Sequence, residues 1–404
     1  MISLKRNIGI TFIGTLVFSL SQWGIISAIA KLGGADKVGI YALAVAIVSP
    51  IFAFANLNLR AVQSTDVHQS YSFKQYRKLR ICTSLVALLV IVGVALLSGL
   101  KAETLNFVAI FALAKFFESI SELAYGFQQR HERMALIARS MIARGLLAFA
   151  SFSLLYYIVD ELFVAGLGLM LGWLIVALAY DYPKAAQGAV DESSSTNFGL
   201  KALMITTAPL GFVVFCNTVN LNIPRYVIAE HYSEQLLGIY AATSYFIVAG
   251  ATLINAIGQS ATPRLASLFV QSPEAFKVLL HKLLVLAAVI GLSGILVSYL
   301  IGDWVLRVFY SDEFLGYGSL LVWVMTAGMA MYCSSILGCG LTSMRCFKLQ
   351  SVLSLIVVIV ILTASYTLIP SHGLTGGAFS ILLAYSIKGL LAYYFLQTKT
   401  KGGG

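Results

Sequence analysis

The chain has 404 residues, of which 59% are hydrophobic and only 11% charged, and its mean hydropathy is +0.87. Soluble domains carry about 25% charged residues, because an aqueous surface must be covered by polar groups, so this composition excludes a water-soluble globular enzyme. The apolar residues fall in separate runs of about 20 residues, the length that crosses a hydrocarbon core of about 30 Å, and the chain reads as an integral membrane protein.

The 27 Lys and Arg against 17 Asp and Glu give a net charge of +10. The basic residues lie between apolar runs without aromatic interleaving, so they read as orientation signals and not as a nucleic-acid surface. Cys82, Cys216, Cys333, Cys339 and Cys346 fall inside or at the edges of apolar runs with no CxxC or zinc spacing. They read as small core residues. The histidines are scattered, so no metal site and no cofactor are expected.

Apolar runs lie near residues 8–30, 39–59, 81–100, 104–127, 138–159, 162–180, 203–224, 236–260, 279–302, 318–341, 351–370 and 374–397. The first follows Lys5 and Arg6 but has no small-residue cleavage site and exceeds a signal sequence in length, so it counts as a helix. With both ends cytoplasmic, the inner loops hold nineteen Lys and Arg, Arg80 among them, and the outer loops five, Arg225 among them, with Lys115, Arg144 and Lys388 inside spans. That bias fixes the orientation. A reporter fused after Lys401 and active only outside would refute it.

The expected fold class is an all-α polytopic membrane protein with twelve transmembrane helices in two six-helix lobes, residues 1–182 and 202–404, joined by a cytoplasmic linker, 183–201, that holds Asp191, Glu192 and Ser193 to Ser195. Val38-Gly39-Ile40-Tyr41-Ala42 is echoed by Leu237-Gly238-Ile239-Tyr240-Ala241, 199 residues later, before the second and eighth spans. Even-numbered halves share their orientation, which makes them parallel repeats able to enclose a central cavity. Short loops and the lack of Walker A, H-E-x-x-H and G-x-S-x-G motifs favour transport over enzymatic activity.

Ionisable groups at bilayer depth cost about 3 kcal/mol or more, so those present must face protein or water. In the second span, Pro50 is a candidate gating kink, and Asn56 and Arg60 lie one turn apart near the inner mouth. In the fourth, Lys115, Glu118 and Glu122 share one helical face. Either they neutralise one another and lock the helix, or they line the cavity with Arg144 of the fifth span as partner. In the latter case Glu118 and Glu122 are candidates for proton or sodium coupling. The seventh span offers Asn217 and Asn220 with Pro209 as a second candidate kink; the eighth offers Asn255 and Gln259. Interhelical amide hydrogen bonds would explain the asparagines equally well. Lys388, mid-run in the twelfth span, has no acid within a turn. Arg144, Lys388, Lys115 and Arg60 therefore form the expected cationic cavity, suited to an anionic substrate.

Two stretches resemble a known family. Gly39-Ile40-Tyr41-Ala42-Leu43-Ala44 through Pro50-Ile51-Phe52 to Asn56-Leu57-Asn58-Leu59-Arg60-Ala61-Val62-Gln63, with Thr65-Asp66, is similar to the second-span signature of bacterial polysaccharide-biosynthesis flippases. Glu118-Ser119-Ile120-Ser121-Glu122-Leu123-Ala124-Tyr125-Gly126-Phe127-Gln128-Gln129-Arg130-His131-Glu132-Arg133-Met134 resembles the segment closing that family's fourth span. The family belongs to the multidrug/oligosaccharidyl-lipid/polysaccharide (MOP) superfamily. The resemblance implies a multi-pass protein of the bacterial inner membrane that carries an undecaprenyl-diphosphate-linked oligosaccharide repeat unit outward by alternating access, for O-antigen, capsule or exopolysaccharide assembly. The partners it implies are the lipid-linked sugar, the bilayer, and the polysaccharide polymerase with its chain-length machinery. Coupling to a cation gradient is likewise implied. The alternatives are a multidrug exporter, although residues 8–30 lack the acidic residue common there, and a lipid II flippase, although no spans exceed twelve. A membrane glycosyltransferase or polymerase would carry a large outer loop, which this chain lacks.

Overall fold

The computed structural model describes residues 4–66, 70–189 and 199–401. Among the described residues every regular element is a helix. In chain order they are α1 (Leu4–Ala55), α2 (Leu59–Thr65), α3 (Phe73–Leu97), α4 (Ala102–Arg130), α5 (Met134–Val159) and α6 (Leu162–Val176), which passes through a π-helical turn (Ala177–Asp181) into α7 (Tyr182–Ala189). Then come α8 (Leu200–His231), α9 (Glu234–Gln271), α10 (Pro273–Phe309), a 3-10 turn (Asp312–Phe314), α11 (Gly318–Ser343), α12 (Phe347–His372) and α13 (Leu374–Lys401).

Among the described residues ten helical stretches are long and apolar enough to cross a membrane. One of them, Gly9–Thr65, contains two rods, because α1 is broken at Gly34 (φ 76°, ψ −177°). That φ favours glycine, which has no Cβ to clash. With the two rods counted separately, and with the 29-residue α4 that carries Lys115, Glu118 and Glu122, twelve rods of span length stand among the described residues, as expected. Their ends run beyond the apolar runs. α3 starts at Phe73 under a capping box, in which Ser72 Oγ accepts from the Gln75 amide at 3.3 Å and Gln75 Oε1 accepts from the Ser72 amide at 2.9 Å. α8 continues through Pro224 to His231, and α9 continues through Pro263 to Gln271.

The chain divides into two compact units, Met1–Gly33 with Ile40–Thr218, and Gly34–Gly39 with Val219–Gly404. The division falls inside α8. Of the expected linker 183–201, residues up to 189 continue α7 and Leu200 begins α8, while 190–198, with the acidic and serine run, lie outside the described residues.

The first unit is packed by small residues and aromatic rings. Gly168 and Gly172 of α6 lie four apart on one face and let α5 approach closely: a Cβ on Gly172 would lie 3.0 Å from the Ala148 backbone, and Ser151 Oγ donates to the Gly168 carbonyl at 2.7 Å. This small-xxx-small pattern is the usual device where helices pack in lipid without a hydrophobic driving force. Tyr41 packs on Phe107 and Phe111, and Trp173 on Phe18 and Phe111. A second cluster gathers Leu59, Phe73, Tyr76, Leu123, Phe127 and Leu203. Long apolar side chains such as Leu89, Leu96 and Leu154 are exposed and face the lipid.

In the second unit, tyrosine hydroxyls tie one helix to another's backbone. Tyr332 donates to the Ile247 carbonyl at 2.9 Å, Tyr310 to Ala242 at 2.8 Å and Tyr232 to Ile369 at 3.1 Å. Glu313 Oε2 accepts from the Ala35 amide at 2.7 Å, satisfying a backbone donor beside the Gly34 break.

Candidate functional site

In the first unit the stripe on α4 is the centre of an ion network. Lys115 Nζ donates to Glu118 Oε2 at 2.5 Å, and Arg144 Nη2 of α5 approaches Glu118 Oε1 at 3.6 Å. One turn on, Glu122 Oε2 accepts from Arg60 Nη1 at 3.1 Å. Lys115 and Glu118 do neutralise each other, and Arg144 joins them as their partner. Aromatic faces carry the remaining charge. The Arg144 guanidinium lies 4.5 Å from the Phe18 ring centre, 5.5 Å from Trp173 and 5.6 Å from Tyr125, and Lys115 Nζ is 5.6 Å from Trp173. Such contacts strengthen where water is excluded. Arg144 is 1% exposed, and its Nε and Nη1 are without hydrogen-bond partners.

The break between α1 and α2 places two polar groups, Asn56 within it and Arg60 in the first turn of α2. Leu57 (φ 49°) and Asn58 (φ 50°) are left-handed and interrupt the helix, so Asn56 and Arg60 do not share a helical face as their spacing suggested. They reach α4 separately. Asn56 Oδ1 accepts from Ser119 Oγ at 2.9 Å and from Arg80 Nη1, while Arg60 Nε donates to Gln129 Oε1 at 3.1 Å and the guanidinium lies 5.2 Å from the Tyr125 ring centre. The close approach needs Gly126, where a Cβ would lie 3.2 Å from the Arg60 Cα. Arg80 corrects a second expectation. Its place ahead of the apolar run 81–100 puts it in an inner loop, but α3 starts seven residues earlier, and the residue is 1% exposed.

The π-helical turn after α6 brings in Asp181, which sequence reasoning missed because it follows the apolar run 162–180. Asp181 is 4% exposed. Its carboxyl group faces the hydroxyls of Ser121 and Ser140, and the latter also bonds Tyr125 Oη at 2.7 Å.

In the second unit, Lys388 of α13 has no acidic partner among the described residues. Its Nζ lies 5.6 Å from the ring centre of Tyr385, whose hydroxyl faces the buried Asn220 of α8. Arg225, expected in an outer loop, is instead buried within α8 at 6% exposure, because the helix continues past Pro224. It donates to Asn222 Oδ1 at 3.2 Å and lies 5.3 Å from the Tyr245 ring centre. Asn217, on the α8 stretch grouped with the first unit, and Asn255 on α9 are exposed in the protein alone, and the Gln259 side chain lies outside the described residues. The sharp break in α1 is at Gly34, whereas Pro50 sits within a continuing helix, as does Pro209 in α8. Among the described residues no group of His, Cys, Asp and Glu could hold a metal ion.

The model of a family described as "Polysaccharide biosynthesis protein" matches residues 4–269. The chain is 26% identical, over 398 residues, to the capsular polysaccharide biosynthesis protein CapF of Staphylococcus aureus, covering 98% of this chain and 99% of that one. Its fold is similar to that of the lipid II flippase MurJ in an inward closed conformation, with TM-score 0.70, 14% identity and coverage of 97% and 87% of the two chains. It is also similar to an inward-facing multidrug resistance MATE family transporter of the MOP superfamily, with TM-score 0.67, 11% identity and coverage of 96% and 94%. A multi-pass helical membrane protein with this fold, matched by the family model over most of its length, the chain belongs to the polysaccharide biosynthesis protein family.

Proposed function

We propose that the chain translocates an undecaprenyl-diphosphate-linked oligosaccharide repeat unit from the inner to the outer leaflet of the bacterial inner membrane by alternating access, for assembly of a surface polysaccharide. The family and the capsular relative support the polysaccharide, and the fold shared with a flippase and with drug exporters supports transport. In this reading both termini and the 183–201 linker are cytoplasmic.

The observation that carries the substrate class is Lys388, a cation within a span with no acidic partner among the described residues. An unpaired charge at bilayer depth is costly and marks a functional position, and a diphosphate is the anion that would complete it. Arg144, Lys115 and Arg60 are the further contacts proposed for the head group, with Asn56, Asn217, Asn220, Asn255 and Gln259 lining its path. Pro50 and Pro209 are the proposed hinges. A multidrug antiporter with the same fold would select cationic drugs, and Lys388 and Arg225 would repel them.

The test is reconstitution in vesicles with a fluorescent polyprenyl-diphosphate oligosaccharide, whose accessibility to an impermeant quencher or glycosidase reports its leaflet. The wild type should move the lipid across and K388M should not. Equal movement by both, or movement of cationic drugs alone, refutes the proposal.

A further inference from the structure

Beside the ion network lies one acid that has no ion pair among the described residues. Glu118 has Lys115 and Arg144, and Glu122 has Arg60, but among the described residues Asp181 has no ion-pair partner and its Oδ2 no hydrogen-bond partner, although the residue is 4% exposed. An ionised carboxylate in that condition is strongly disfavoured, and a protonated one is at home, since its O–H supplies a donor to oxygen neighbours. The neighbours fit. From α4 come Ser121, whose Oγ also lacks a hydrogen-bond partner, with Glu122 and Tyr125; from α5 come Ser140 and Arg144; beside Asp181 on its own turn stands Tyr180, which faces Arg139.

Arg144 supplies the other half of a switch. Its Nε and Nη1 are unpartnered, its contact with Glu118 is the long one at 3.6 Å, and Glu118 would keep Lys115 at 2.5 Å if Arg144 moved. The guanidinium can therefore leave Glu118 without stranding a charge. Asp181 lies on a π-helical turn, a local irregularity that recurs at functional sites.

We propose that Asp181 is a proton-binding site and that its proton decides which acid holds Arg144: with the proton on, Arg144 stays with Glu118, and with the proton released to solvent, the guanidinium closes onto the Asp181 carboxylate. The site's use in transport rests on the function proposed above, since Arg144 clamped by Asp181 could not meet a diphosphate. Protonation would return Arg144 to the longer Glu118 contact, from which a diphosphate could draw it.

The experiment is infrared difference spectroscopy of the full chain in lipid nanodiscs, without substrate, between acid and mildly alkaline medium. The wild type should show a protonated-carboxyl band that is lost on alkalinisation. D181N, which keeps the shape, should lack it; D181E should restore a band at a shifted frequency; E122Q should keep it; and E118Q, which leaves Arg144 to Asp181 alone, should lose it in more acid medium than the wild type. In R144Q the band should persist into more alkaline medium than in the wild type. A wild type without such a band, a band that survives in D181N, or an R144Q band indistinguishable from the wild type would overturn the proposal. Because no substrate is present, these outcomes are independent of the vesicle assay that tests the transport reading.

Discussion

Gly39 and Gly238 lie backbone against backbone. A Cβ on Gly238 would stand 2.8 Å from the Gly39 amide nitrogen and overlap the Ala35 carbonyl oxygen, and a Cβ on Gly39 would overlap the Glu234 carbonyl. The two glycines occupy the same place in the two G-I-Y-A stretches, so the echo that marks the repeat in sequence is also a contact in which each copy needs the other to lack a side chain. Either substitution to Ala forces backbone apart, which typically costs about 1–3 kcal/mol and more where backbone cannot yield. G39A and G238A should each lower the thermal unfolding temperature of the detergent-solubilised protein, and the pair together should lose less than the sum, because one displacement accommodates both methyl groups. Strict additivity would mean that the two glycines do not share the contact.

Arg144 and Glu118 respond differently to removal because their neighbourhoods differ. Breaking a buried ion pair from one side costs about 3–5 kcal/mol, since it strands the other charge. Glu118 keeps Lys115 when Arg144 goes, whereas in acid medium, with Asp181 protonated, Arg144 has no second carboxylate when Glu118 goes, and the comparison is made there. E118Q should therefore destabilise more than R144Q, and the double variant should recover part of the stability of E118Q. Chemical denaturation of the three in mixed micelles ranks them, and R144Q as the least stable would contradict the geometry.

Asn56 is the sole side-chain hydrogen-bond partner of the buried Arg80 among the contacts described. Replacing it by Leu leaves a guanidinium unsatisfied, at about 1–3 kcal/mol or more for a charged group. Pairing N56L with R80M should return most of that loss. A double variant no more stable than N56L would show that Arg80 has found another partner.

Lys388 carries the opposite signature. With no acid to strand, K388M exchanges an unpaired cation for an apolar side chain of similar length, so the protein should be as stable or more stable while export of surface polysaccharide falls away. Stability gained at the expense of function is the mark of a site residue. Comparing unfolding temperature with surface polysaccharide in a complemented deletion strain separates the two effects, and normal export from a stable K388M would remove Lys388 from the site.

Hydropathy alone located the rods, because twelve lengths of apolar chain leave little choice in lipid, and Lys115, Glu118, Glu122 and Arg144 stood out as charges where charges are expensive. What stayed hidden lay at the ends of the rods. Arg80, Asp181 and Arg225 sit just outside apolar runs, where hydropathy ends the span, yet the helices continue and bury all three. Asn56 and Arg60 were misread for a related reason: their spacing implied a common face, but two left-handed residues between them cannot be foreseen from leucine and asparagine. The Gly168 and Gly172 spacing was readable in principle, since glycines four apart in an apolar run are a packing signal.

A straight α1 of 52 residues would measure about 78 Å, more than twice the thickness of the bilayer interior. The break that avoids this rests on the dihedral angles of Gly34, beside the Ala35 amide that Glu313 satisfies. A single residue thereby fits α1 to the bilayer: with a helical Gly34, one unbroken rod would carry more than half of its length outside the apolar layer.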